Sequence, residues 1–265
     1  MDTSLVGKRA LVCGSTAGIG RAAAVELAAL GAEVTLVARD DAKLRSTAAA
    51  LPANHGQRHA GLVADLADPE SATRAVAGAL ANGAGVRPFH ILVNNTGGPP
   101  GGAMLDATAD QLLAAFKSLL VTAHRLVQAV VPGMKDAKYG RIINITSTSV
   151  KQPIPNLGLS NAVRAGVANW AKTLSQELGP FGITVNNVLP GYTDTERLTE
   201  LFKGRSAKTG KSMDAIRAET VASIPAGRLG RADEIAAAVA FLATPAAAYI
   251  NGINLPVDGG RTLSL

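Results

Sequence analysis

The first residues with chemistry to offer are Cys13-Gly14-Ser15-Thr16-Ala17-Gly18-Ile19-Gly20. Their glycines fall as G-x-x-x-G-x-G, after the apolar run Arg9–Cys13 and before a helical pattern. Gly14 permits a tight turn, Gly18 lets backbone approach a pyrophosphate, and Gly20 lets the helix pack closely on the strand. The helix N-terminus then presents free N–H groups to the anion. At the head of a strand–helix series this points to dinucleotide binding. The plain alternative is an ordinary glycine-rich turn. The end of the next apolar run selects the cofactor. An acid there would hold a ribose 2′-hydroxyl and favour NAD. The sequence instead has Ala38 and Arg39, and a guanidinium can fork onto a 2′-phosphate. NADP(H) is therefore expected over NAD. The alternative pairs Arg39 with neighbouring Asp40 or Asp41 on the surface.

Other polar groups are less specific. The loop Gly97-Gly98-Pro99-Pro100-Gly101-Gly102 offers backbone groups without bulky walls, which suits a substrate mouth or a flexible turn. Between Arg197 and Arg217 lie six cations and two acids, so an acyl group on an acidic carrier would be drawn there. A solvated mobile lid has the same composition. His55, His59, His90 and His124 show no metal-ligand spacing, and no metal site is expected.

These residues need a scaffold, and the chain supplies strands alternating with helices. Strands are expected at Arg9–Cys13, Glu33–Ala38, Gly61–Ala64, Ile91–Val93, Arg141–Ile145, Thr184–Val188 and Ile253–Val257. Helices are expected at Arg21–Leu30, Ala42–Leu51, Pro69–Leu80, Ala109–Val131 (ended by Pro132 and Gly133), Leu159–Leu178 and Ala232–Leu242. This alternation predicts an α/β fold, a doubly wound and mostly parallel sheet with helices on both faces. No repeat or linker divides residues 1–265, so one domain is expected, with a lid insertion at about 192–223.

Composition narrows the class. The 265 residues are 47% hydrophobic and 17% charged, which excludes a disordered chain. One cysteine excludes an internal disulfide framework and fits a reducing, cytoplasmic setting. The start, MDTSLVGKRALV, has no signal-peptide pattern. The longest uncharged apolar run, Ile235 to Ile250, contains Pro245 and is too short for a membrane span. The net charge of +6 suits anionic ligands, but with 3% aromatics no nucleic-acid platform is expected.

Taken together, the glycine spacing, Asp65, Asn94-Asn95-Thr96-Gly97, Gly140–Ser147 (GRIINITS), Pro190-Gly191, Gly227-Arg228-Leu229-Gly230 and Val257-Asp258-Gly259-Gly260 resemble the short-chain dehydrogenase/reductase superfamily. The resemblance spans nearly the whole chain and looks closest to the 3-oxoacyl-(acyl-carrier-protein) reductase branch. It implies cofactor contacts for Gly14, Ser15, Thr16, Gly18, Ile19 and Gly20. It implies that Asp65 and Leu66 lie at the adenine and Asn94, Thr96 and Gly97 on the ribose side. Pro190, Gly191, Thr193 and Thr195 would line the nicotinamide. It also implies a homotetramer or homodimer built through helices 109–131 and 159–178.

The family's catalytic set is Asn, Ser, Tyr and Lys. Its serine falls on Ser147. Its tyrosine, 13 residues on, falls on Ser160, and its lysine, four beyond that, on Arg164. Leu119 falls where the asparagine belongs, Cys13 replaces the usual Thr, and Thr96 the usual Ala. Ser160 and Arg164 share a helix face. Arg164 is expected to bind the cofactor, while Ser147 and Ser160 contact a substrate oxygen; alternatively Ser160 caps its helix. Tyr192 is a further candidate proton donor or an apolar wall. The expected activity is NADP(H)-dependent reduction of a carbonyl such as a 3-oxoacyl thioester. The alternatives are a catalytically silent cofactor-binding member and a reductase of another bond, such as an imine.

Overall fold

The computed structural model describes residues 1–81 and 87–264. Among these described residues seven strands alternate with helices, as the apolar runs require. They are β1 (Arg9–Cys13), β2 (Glu33–Ala38), β3 (Ala60–Val63), β4 (Ile91–Asn94), β5 (Gly140–Ile145), β6 (Ile183–Pro190) and β7 (Asn254–Val257). All pair in parallel, in the order β3-β2-β1-β4-β5-β6-β7. The order reverses between β1 and β4, and open α/β sheets bind ligands beyond the strand ends at such a point.

Side chains alternate across the strands and feed two cores. Ala10, Val12, Val34, Leu36, Ile91 and Ile143 face α1 (Gly18–Ala29), α2 (Asp41–Ala49) and α9 (Ala232–Ala243). Leu11, Cys13, Val37, Leu92, Ile142 and Val185 face α3 (Pro69–Ala81), α5 (Thr122–Asp136) and α6 (Gly158–Leu178). Helices on both faces explain why the strands are apolar throughout.

One polar row interrupts that pattern. Asn94 donates to Asn144 Oδ1 (2.8 Å), Asn144 to Asn187 Oδ1 (2.9 Å), and Asn187 to Asn254 Oδ1 (2.8 Å). Each pair is also in register across β4–β5, β5–β6 and β6–β7. Asn94 Oδ1, at the end of the row, is buried without a partner.

The expected single helix 109–131 is instead α4 (Ala109–Phe116), a π turn (Lys117–Val121) and α5. The Thr122 hydroxyl donates to the Lys117 and Leu66 carbonyls, fastening the π turn to the end of β3. Pro132 does not end this helix, which continues to Asp136. The fully buried Met134 anchors the last turn, and Gly133 lies so close to Pro88 that a Cβ would come within 2.7 Å of it. The continuous stretch Ala109–Asp136 is long and apolar enough to cross a bilayer by length and composition. One face of it, including Leu126, Val130 and Met134, is buried in the core.

The region after β6 folds as α7 (Glu196–Thr209) and α8 (Met213–Ala222) around a small core of Leu198, Phe202, Ile216, Ile224 and Leu229.

Candidate functional site

A cleft opens beyond the C-terminal ends of β1, β4, β5 and β6. It is lined by Gly14, Gly18, Ile19, Arg39, Thr96 and Gly97 on one side, and by Ser147, Ser160, Arg164, Pro190, Gly191, Tyr192, Thr193 and Thr195 on the other. Residues more than 180 positions apart thus meet where the topology predicts.

The glycine turn is fitted for close approach. Gly14 has φ +58°, and a Cβ on it would lie 2.6 Å from the Asn95 carbonyl oxygen. A Cβ on Gly20 would lie 2.1 Å from the Gly14 carbonyl oxygen. Asn95 Nδ2 donates to the Cys13 and Gly14 carbonyls and closes the turn against β4. Helix α1 begins with no capping side chain and no acid in its first turn. Its free N–H groups and positive dipole end therefore remain available to a phosphate. This turn, with Arg39 on the same cleft, fits a phosphorylated dinucleotide. The ion pairs of Asp40 and Asp41 go to Lys43 and Arg45, so Arg39 is not neutralised by its neighbours.

Several residues expected at the cofactor do not line the cleft. Ser15 is fully buried, and its hydroxyl donates to the Val37 carbonyl, tying the turn to β2. Thr16 and Gly20 do not line the cleft. Asp65 is exposed after β3 and accepts from the Ala67 N–H. The Leu66 side chain enters the α3–α5 core. Asn94 lines a separate cavity of about 20 Å³, beside Leu119, Thr122, Asn144 and Arg164, with room for one water.

The two serines stand on opposite elements. Ser147 precedes a 3₁₀ turn (Thr148–Val150), and its Oγ accepts from the Ser149 N–H at 3.1 Å. Ser160 does not cap its helix, because α6 begins at Gly158 with Leu157 as the flanking residue. Its Oγ accepts from Arg164 Nε at 3.1 Å. Both hydroxyl protons remain free to donate into the cleft. Arg164 Nη1 donates to the Thr146 (2.8 Å) and Ile145 (3.3 Å) carbonyls, bracing α6 on the end of β5. Burial, then the charge of Arg197, pulls the Arg164 guanidinium down from 12.5 to about 10, so it stays protonated at neutral pH.

Three features escaped the sequence reading. Arg261 stacks its guanidinium 4.6 Å from the centre of the Tyr192 ring. Arg197 reaches across the cleft and donates to the Pro99 carbonyl at 2.9 Å. Ile154, Leu157, Leu198 and Leu201 form an apolar wall. Arg197 was visible only as one charge among six, and Arg261 follows a glycine pair without any spacing signal. The 97–102 loop is anchored rather than loose. Gly102 donates to the Asn156 carbonyl (2.8 Å) and accepts from the Gly158 N–H (3.0 Å).

The basic character of the lid is a window effect. Lys203, Arg205, Lys211 and Arg217 pair with Glu200, Glu219, Glu219 and Asp194. Over residues 194–219 there are six cations and five acids, which leaves no strong field to steer a carrier.

Three of the four histidines serve the scaffold. Nδ1 of His90 accepts from the Arg9 N–H, Nδ1 of His59 from Val34, and Nδ1 of His124 from Trp170. Among the described residues no group of three or more His, Cys, Asp or Glu could hold a metal.

Comparison with known proteins agrees with this architecture. The family model described as enoyl-(acyl carrier protein) reductase matches residues 14–262. The 3-oxoacyl-(acyl-carrier-protein) reductase FabG of Pseudomonas aeruginosa is 39% identical, covering 98% of this chain and 100% of that one. FabG of Haemophilus influenzae is 38% identical, covering 97% and 99%. Among solved structures, L-sorbose reductase from Gluconobacter frateurii, complexed with NADPH and L-sorbose, superposes with a TM-score of 0.91. It is 29% identical, with 100% of both chains covered. The chain belongs to the short-chain dehydrogenase/reductase superfamily, as a 3-oxoacyl-(acyl-carrier-protein) reductase-like member.

Proposed function

We propose that this protein reduces a carbonyl compound, with 3-oxoacyl thioesters as the first substrates to test, and that Ser147 and Ser160, the latter oriented by Arg164, receive the carbonyl oxygen. NADP(H) is the cofactor, and when bound it supplies the hydride. The Gly14–Gly20 turn and the start of α1 hold its phosphates, and Arg39 takes the 2′-phosphate. Thr96 and Gly97 bind its ribose side, while Pro190, Gly191, Thr193 and Thr195 line the nicotinamide.

The observation that carries this reading is the Arg164 Nε to Ser160 Oγ hydrogen bond at 3.1 Å, on the cleft wall shared with Ser147. Arg164 donates to Ser160, so Ser160 must point its own proton outward. A donor held by a guanidinium is a stronger donor than a free hydroxyl. Ser147 adds a second donor, fixed by the Ser149 N–H. The two hydroxyls stabilise negative charge developing on the carbonyl oxygen. Arg164 remains charged and takes no part in proton transfer. The proton reaches the alkoxide through Ser160, which is then reprotonated by water. Tyr192 forms a wall under Arg261 rather than the proton donor.

Assembly is proposed as a homotetramer or homodimer through α4–α5 and α6. Leu113 and Phe116, 65% and 44% exposed on α4, support a self-association face.

The test is NADPH consumption by the purified protein with a short 3-oxoacyl thioester, with reduced-cofactor fluorescence recording binding in the same sample. Turnover that falls about 10²-fold in Ser160→Ala with unchanged NADPH affinity is expected. Binding without turnover of any ketone would replace this reading with a silent cofactor-binding member. Turnover of imines alone would assign the other bond.

A further inference from the structure

We propose that the substrate of this cleft carries a carboxylate beside its carbonyl group, and that Arg197, Arg164 and Arg261 clamp it. This deepens the carbonyl-reductase reading and rests on it.

Most arginines away from the cleft have carboxylate partners. Arg9 and Arg87 share Glu33, Arg217 pairs with Asp194, and Arg228 pairs with Glu234. The cleft is different. Arg164, from α6, and Arg197, from α7, converge on Gly98. A Cβ added there would lie 3.3 Å from Nη2 of each. The two nitrogens are therefore no more than twice that, roughly 6.6 Å, apart. No carboxylate separates or neutralises them among the described residues. Arg164 spends Nε and Nη1 on Ser160 and two backbone carbonyls, which leaves Nη2, the nitrogen facing Gly98, unpaired. Arg261 adds a third charge on the same cleft. Its Nε is buried and has no hydrogen-bond partner. The one acid on the lining is Glu196, which forms no ion pair with any of the three.

Like charges held together without a counterion raise the energy of the empty site, and an anion relieves it. The planar fork of a guanidinium matches a carboxylate with two parallel N–H···O bonds. A glycine at position 98 leaves the space between the two forks open. The cofactor pyrophosphate is a second possible source of negative charge. Its cradle is the Gly14–Gly20 turn and the start of α1. Arg164 is bonded instead to Ser160 and the Thr146 carbonyl, and its Nη2 meets that of Arg197 at Gly98, on the cleft wall that carries Ser160. That placement favours an anion belonging to the substrate.

The test uses oxo acids with the carboxylate one to three carbons from the ketone, each against its methyl ester, in wild type, Arg197→Met and Arg261→Met. For at least one chain length the wild type should prefer the acid by tenfold or more in kcat/KM. That ratio should fall about tenfold in Arg197→Met and also fall in Arg261→Met. NADPH affinity, read by fluorescence, should change less than threefold. Equal use of acid and ester by the wild type would overturn the clamp. A loss of NADPH affinity in Arg197→Met with the acid preference intact would assign the anion to the cofactor instead. If neither series turns over, carbonyl reduction fails, and thermal shift of the NADPH-loaded protein decides the clamp separately. Stabilisation by the acid alone, lost in Arg197→Met, upholds the clamp; equal effects of acid and ester refute it.

Discussion

Replacing Arg164 with methionine keeps most of the side-chain volume and removes the charge and its donors. Two effects then oppose each other. The guanidinium donates to Ser160 and to the Ile145 and Thr146 carbonyls. Hydrogen bonds from a charged donor contribute about 1.5–3 kcal/mol each. The 2.8 and 3.1 Å bonds carry most of this, so their loss costs about 3–6 kcal/mol. Against that, lowering the guanidinium from 12.5 to about 10 corresponds to roughly 3 kcal/mol withheld from the charged form. Methionine escapes that cost. The net destabilisation is about 0–3 kcal/mol, and at roughly 2–4 °C per kcal/mol the melting temperature falls by at most about 12 °C. Function should respond far more, with turnover down by about 10²-fold or more. Arg164→Lys, a charged point donor without the fork, should fall between the two. Scanning fluorimetry with and without NADPH, alongside kcat and KM, separates these effects. A fall in melting temperature well above about 12 °C with turnover within threefold of wild type would show that Arg164 is only a brace.

Asn144→Leu orphans the Asn94 amide and the Asn187 carbonyl oxygen, at about 1–3 kcal/mol each, whereas Asn254→Ala orphans one donor at the sheet edge and costs about 1 kcal/mol. Urea denaturation giving equal losses would contradict the row of amides. Arg39→Ala should lower the preference for NADPH over NADH by about 10- to 150-fold, the equivalent of one charged hydrogen bond; an unchanged ratio of dissociation constants would remove Arg39 from the 2′-phosphate. Burial pushes the Cys13 thiol up to about 12. It should therefore resist thiol reagents at pH 8 and react fully once unfolded, and rapid labelling of the native protein would show that the β1 end opens.

The parallel α/β class was legible because each strand is a short apolar run between helical stretches. The glycine turn was legible because backbone approach requires Gly14 and Gly20 whatever the rest of the fold does. Features set by tertiary contact were not. Pro132 reads as a helix stop, yet the burial of Met134 beyond it outweighs one missing N–H. The π turn at Lys117–Val121 has no local signal, since its support comes from Thr122 reaching the Leu66 carbonyl. That the Asp65 side chain is exposed while the Leu66 side chain packs into the core is likewise set by the fold and not by local sequence. The lid read as strongly basic because the window stopped short of Asp194, Glu196 and Glu219. Ser160 read as a possible cap because a helix start is uncertain by a turn, and the start at Gly158 puts it inside the first turn instead.

The row of asparagines has a consequence for how the sheet is assembled. Parallel strands made of interchangeable apolar residues can slide against one another, since valine packs nearly as well where isoleucine should. Asn94, Asn144, Asn187 and Asn254 remove that freedom. A slip of two residues keeps each side chain on its face but sets Asn144 against Val185 or Leu189 instead of Asn187, and strands buried amides on both strands. A slip of one also turns β5 inside out. The four amides therefore act as a registration mark running through half the sheet. The mark is complete only when β7, the last strand in the chain, has docked. Misaligned sheets are penalised during folding, before any ligand is present to select the correct one.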